Sequence, residues 1–156
     1  MLSVLIVLFD DVQSLDVTGP LEVFNSAGDT YRITTAGIGG HQVCTGSLIL
    51  AGAGLLKGRR ATTHWLALAQ LTTWDVTPVH ERVVIDGKYA TAAGVSAGID
   101  MALTLAGRLA GDTVAQRIQL GIEYYPQPPY QAGSPDTAPE ELVADIRAHS
   151  RFTLNR

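Results

Sequence analysis

The run Ser3-Val4-Leu5-Ile6-Val7-Leu8-Phe9 constrains this chain more than any other stretch. It is aliphatic and β-branched without polar alternation, so a strand built from it has to be covered on both faces, as the inner strands of a parallel sheet are. Asp10-Asp11 end the run at what becomes the carboxyl edge of that sheet, where open α/β folds collect their ligands. At 156 residues the chain fits one domain, residues 1–156, and is long enough to bury a core. With 46% apolar and only 6% aromatic residues it suits an α/β domain rather than a disordered chain.

The remaining elements follow the same logic. Leu15 to Gly19 leads into a helix expected from about Pro20 to Ala27, with proline near its first turn and Gly28 just past its end. Tyr31 to Thr35 reads as a second strand. Parallel strands need a crossover of about a dozen residues, and only Ala36 to Gln42 separates Thr35 from Val43. Either Gly39-Gly40 turns an antiparallel hairpin here, or a strand–helix unit is absent. A helix after Cys44 is expected to end near Leu56, with Gly58 as its left-handed cap. Arg60 to Trp65 is a polar link into a short helix, Leu66 to Leu71, and Thr77-Pro78-Val79 is a brief extended piece. Asp86-Gly87 signals a β-hairpin between Arg82–Ile85 and Lys88–Ala92. A long helix from Ile99 to Leu109 carries small residues (Ala97, Gly98, Ala102, Ala106, Gly107) that permit close approach to the sheet. Helices from Thr113 to Tyr124 and from Ala138 to about Ser150 flank a stiff segment, Tyr124 to Tyr130.

Charge and motif content exclude several classes. A net charge of −4, with no basic stripe beyond Lys57-Gly58-Arg59-Arg60, argues against nucleic acid. No apolar run reaches the ~18 residues of a membrane span. The N-terminal run lacks a basic leader and a small-residue cleavage site. One cysteine makes no internal disulfide, so a cytoplasmic location is expected. Gly52 to Gly58 resembles a nucleotide loop but falls at the end of a helix. His41, His80 and His149 make no ligand-spaced cluster with His64, so no metal is expected.

The chemistry centres on Cys44, where a short apolar lead-in meets Thr45-Gly46 and a helix-like run. A thiolate there is stabilised by unpaired backbone N–H groups, Thr45 offers a capping hydroxyl, and Gly46 has no Cβ to obstruct a substrate. Asp16 follows the first strand at the same edge, as a site carboxylate or a turn former. His64 trails Cys44 by one helix and a turn, as a thiol partner or a structural histidine.

Leu15 to Phe24, Val43-Cys44-Thr45-Gly46, Arg60-Ala61-Thr62-Thr63-His64-Trp65, Gly94 to Asp100 and Tyr124 to Pro129 together resemble the ThiJ/PfpI superfamily and, within it, the isonitrile hydratases. The resemblance covers nearly the whole chain. It implies a flavodoxin-like (class I glutamine amidotransferase-like) α/β sandwich with a mostly parallel sheet plus a β-hairpin. It also implies a homodimer without a cofactor, acting on a small-molecule isonitrile and giving an N-substituted formamide. The aspartate, cysteine and following threonine of isonitrile hydratases fall on Asp16, Cys44 and Thr45. Gly40, Gly46 and His64 are expected to border the pocket and oxyanion site. PfpI-type peptidases carry histidine directly after the cysteine, and Thr45 argues against that branch. Two other readings stand beside this one: a ligand-sensing domain like those preceding helix-turn-helix readers in transcription regulators, and another cysteine-dependent hydrolase or glyoxalase. No basic recognition helix follows in the sequence, which places the sensing reading second.

Overall fold

The computed structural model describes residues 2–9, 14–38 and 46–150. The first unit is strand β1 (Leu2–Phe9), helix α1 (Ser14–Asn25) and strand β2 (Tyr31–Ile38). β1 and β2 pair in parallel, from Leu2 opposite Tyr31 to Phe9 opposite Ile38. The helical crossover that a parallel pair requires is α1. β2 extends three residues beyond the Thr35 expected from sequence. The proposed turn at Gly39-Gly40, and the strand leading to Cys44, lie outside the described residues.

α1 corrects the sequence reading. It begins at Ser14 rather than near Pro20, and Pro20 sits inside it. Proline has no N–H to return to the carbonyl four residues back, which is that of Asp16. Packing compensates: Gly19 and Pro20 are buried against helix α3 (Ala97–Ala110). A Cβ on Gly19 would stand 2.7 Å from Ile99 Cγ1, and one on Gly98 would stand 3.6 Å from Pro20 Cγ. The small residues of α3 therefore admit α1, and at Gly107 they admit helix α4 (Asp112–Gly121), whose Asp112 Oδ1 lies 3.3 Å from the Cβ position. They serve helix–helix contact more than the expected contact with the sheet.

Helix α2 (Gly46–Gly52) is shorter than the sequence suggests. Its end is a Schellman motif: Leu55 N–H donates to Leu50 C=O at 3.0 Å and Gly54 N–H to Ala51 C=O at 2.8 Å. Gly54, at φ +74°, is the cap, not Gly58. Stopping early lets the chain turn Leu56 fully into the core. Strand β3 (Arg60–Ala61) pairs in parallel with β4 (Thr77–Pro78). Between them the expected short helix is a 3-10 segment displaced to Leu68–Trp74, closed by Asp75 at φ 57°. Arg60 to Trp65 is less polar in setting than expected, since Thr62 and Thr63 are each 2% exposed.

The hairpin forms where expected but one residue further on: β5 (Val83–Asp86) and β6 (Tyr89–Ala92) are antiparallel with Asp86 opposite Tyr89, so the two-residue loop is Gly87-Lys88 rather than Asp86-Gly87, with Gly87 at φ +61°. Asp86 also joins the hairpin to β3. Its carboxylate accepts the Arg60 N–H at 2.9 Å and the Arg59 guanidinium at 3.2 Å, and these hold it below the usual carboxylate range. Two parallel pairs, a hairpin and their helices make the α/β, flavodoxin-like architecture. After α4, an irregular segment leads to α5 (Glu140–Ala148). Tyr124 hydrogen-bonds Asp100 at 2.8 Å and anchors the start of the aromatic segment, while Tyr125 and Tyr130 are largely exposed.

Candidate active site

Three expected site residues are described, and each follows a strand or opens a helix. Asp16 stands in the first turn of α1, after β1, where the helix dipole favours a carboxylate. Gly46 is the first residue of α2, exposed, and no other described segment comes within 4 Å of where its Cβ would stand. His64 is the third residue after β3. Cys44, Thr45 and Gly40 lie outside the described residues; Cys44 and Thr45 immediately precede α2 in the chain.

Asp16 lies near enough to His64 for its charge to act on the imidazole. Burial holds the half-buried imidazole below the ordinary histidine value, and the nearby Asp16 charge pulls it the other way without prevailing. The neutral ring is therefore its prevailing form at neutral pH. Leu66 N–H donates to His64 Nδ1 at 3.4 Å, which favours the ring proton on Nε2. The imidazole stacks on Trp65, with centroids 6.0 Å apart and planes inclined by 30°.

Sequence reasoning passed over Thr63 and Trp65 except as parts of a motif. Thr63 carries a buried hydroxyl with no hydrogen-bond partner among the described residues, next to His64. Thr62 N–H, beside it, donates to Thr91 Oγ1 at 3.0 Å and ties the end of β3 to β6. Two consecutive threonines directly after a strand were the available signal. A cavity of about 370 Å³ lies elsewhere, between α3 and α4, lined by Leu103, Arg108, Asp112 and Gln116 among others. It shares no residue with the Asp16–His64 edge. Among the described residues no group of three His, Cys, Asp or Glu side chains is placed to hold a metal, and no helix is long and apolar enough to cross a membrane.

Against known proteins, residues 40–108 match the DJ-1/PfpI family. The isonitrile hydratase of Pseudomonas putida is 46% identical over 147 residues, which is 94% of this chain and 59% of that protein. A ThiJ/PfpI family protein from Pseudomonas syringae superposes with a TM-score of 0.85 at 27% identity, over 94% of this chain and 84% of that one. Residues 40–108 thus belong to a DJ-1/PfpI family domain. The fold extends further, to Drosophila melanogaster DJ-1beta, with a TM-score of 0.67 at 16% identity over 78% and 97% of the two chains. The HTH-type transcriptional regulator CdhR of Pseudomonas aeruginosa is 39% identical over 92 residues, 58% of this chain and 26% of that protein. The chain thus spans about three fifths of the hydratase and about a quarter of the regulator.

Proposed function

We propose that this DJ-1/PfpI domain is an isonitrile hydratase, a hydro-lyase converting R–N≡C and water to R–NH–CHO. The observation that carries the reading is 46% identity to the Pseudomonas putida isonitrile hydratase over 94% of the chain. The charge of Asp16 acting on His64 supports it. The protein works as a cytoplasmic homodimer.

Cys44 is the nucleophile. α2 is only two turns long, so its dipole is a weak source of thiolate, and the proton is taken by Asp16. The sulfur attacks the terminal isonitrile carbon, forming the C–S bond and leaving an electron pair on that carbon. Asp16 returns the proton to that pair, giving the thioimidate R–N=CH–S. Asp16 then draws a proton from water as the oxygen adds to the carbon, and passes it to nitrogen. Collapse of R–NH–CH(OH)–S forms the carbonyl and breaks the C–S bond, and the hydroxyl proton returns to the thiol. Thr45 orients the water and the adduct, Gly40 and Gly46 leave room for it, and the Nε2–H of His64 faces the developing negative charge.

The test is incubation with a simple alkyl isonitrile and detection of the formamide. Cys44→Ala and Asp16→Asn are each expected to abolish product while leaving the circular-dichroism spectrum intact. Full turnover in either variant defeats the mechanism. The match to CdhR favours a second reading, a ligand-sensing domain. A thermal shift with ligands and no formamide, and no turnover of amides or glyoxals, would select that reading.

A further inference from the structure

Helix α5 buries none of its side chains, yet it reaches back to the candidate site. The Arg147 guanidinium lies 5.5 Å from the centroid of Trp65, within cation–π range. Trp65 in turn stacks on His64. Trp65 also lies between His64 and Leu66 in the chain, so its backbone and ring bear on both the stacking contact and the Nδ1 contact of the imidazole. At 3.4 Å the bond from Leu66 N–H to Nδ1 is long, and a small rotation of the Trp65 peptide would break it. Among the described residues, Asp16 from α1 acts on the imidazole and Arg147 from α5 acts on the indole.

We propose that Arg147 is a positioning residue: it holds the indole of Trp65, and through Trp65 it keeps the His64 imidazole in the Nε2–H tautomer that the hydration reaction uses. The inference rests on the isonitrile hydratase reading for its catalytic consequence, but not for the positioning itself. Arg147 touches no substrate and acts only through Trp65. A cation over the ring, rather than the shape of the arginine side chain, is what the assembly requires.

The experiment uses the full chain, labelled with ¹⁵N, in wild-type form and as Arg147→Ala and Arg147→Lys. Long-range ¹H–¹⁵N spectra report the tautomer of each imidazole, and the His64 signals are identified by their loss in His64→Gln. Turnover of an alkyl isonitrile is measured in parallel. In Arg147→Ala the His64 nitrogens should shift toward the average of two tautomers. kcat should fall about two- to fivefold, the range an exposed cation–π contact supplies, with KM nearly unchanged. Arg147→Lys should restore both. Wild-type tautomer and kcat in Arg147→Ala, or Arg147→Lys as impaired as Arg147→Ala, overturns the proposal. If the wild-type protein yields no formamide, the hydratase reading fails, and the imidazole spectra still decide the positioning role.

Discussion

At His64 two influences oppose each other, and their balance has a measurable consequence. Burial disfavours the imidazolium, the carboxylate of Asp16 favours it, and burial wins. A histidine whose pKa falls on folding binds fewer protons in the folded chain than in the unfolded one, over the interval between the two values. Stability therefore rises with pH through that interval. The penalty is absent above the unfolded value near 6.5, grows as pH falls, and is complete below the folded value. The urea midpoint of the wild-type protein should drop as neutral solution is made mildly acid, and His64→Gln should flatten that drop. An equal or steeper drop in His64→Gln would show that the imidazole is not held neutral by its surroundings. The same balance bears on catalysis, because a neutral ring with its proton on Nε2 donates a hydrogen bond without neutralising Asp16.

At the scale of elements, the position of Asp16 depends on how closely α1 approaches α3. Gly19 makes the approach possible, since a Cβ there would meet Ile99 Cγ1 at 2.7 Å. Cγ1 is close to the backbone and cannot swing clear as a chain terminus would. Gly19→Ala should cost about 1–3 kcal/mol by overpacking and, by tilting the first turn of α1, reduce turnover as well. In the double variant Gly19→Ala with Ile99→Ala the loss should be smaller than the two single losses added, as read by urea unfolding. Strict additivity would mean that the two positions do not collide. This contact also explains what the sequence concealed. β1 was legible as a strand because its run is aliphatic and β-branched, although Ser3 is exposed and Val4 and Ile6 only half-buried. The hairpin was legible because Asp86-Gly87 signals a tight turn, which forms one residue on, at Gly87-Lys88. The start of α1 was not legible, because Pro20 ordinarily marks a first turn and only burial against Gly98 and Ile99 holds it inside a helix. The end of α2 offered two glycines, Gly54 and Gly58, both with positive φ. Local sequence does not rank them; the need to bury Leu56 does. The candidate site could be expected from sequence only as residue types at one sheet edge, with His64 set beside Cys44; the influence of Asp16 on His64 was not among those expectations, since nothing in their spacing brings them together.

For the whole molecule, the packing divides into two clusters with no shared member among the described residues. One gathers Leu48, Leu56, Leu68 and Leu71, with Trp74 and Tyr89 against it. The other gathers Val23, Phe24, Tyr31, Ala102, Ala106 and Ile118. Asp16 belongs to a helix of the second cluster, while Gly46 and His64 belong to segments of the first, so the candidate site straddles the seam. Asp86 joins β3 to the hairpin within the first half, whereas Arg82 crosses to α3. Its Nε donates to Asp100, its terminal nitrogen donates to Ser96 Oγ at 2.9 Å, and Tyr124 closes on the same carboxylate. Both charged partners are partly solvated, so Arg82→Ala should cost only about 1–2 kcal/mol, below what a buried charge-assisted network gives. Where that loss appears is more telling than its size. Both tryptophans, Trp65 and Trp74, lie in the first half, whereas the helices α1, α3 and α4 of the second dominate the far-ultraviolet signal. In the wild-type chain fluorescence and circular dichroism should report one urea midpoint. In Arg82→Ala the two should separate, with the fluorescence midpoint lower, because the hairpin half loses its tie while the helices keep one another. Coincident midpoints in Arg82→Ala would mean that other contacts across the seam suffice and that the site does not depend on this strap.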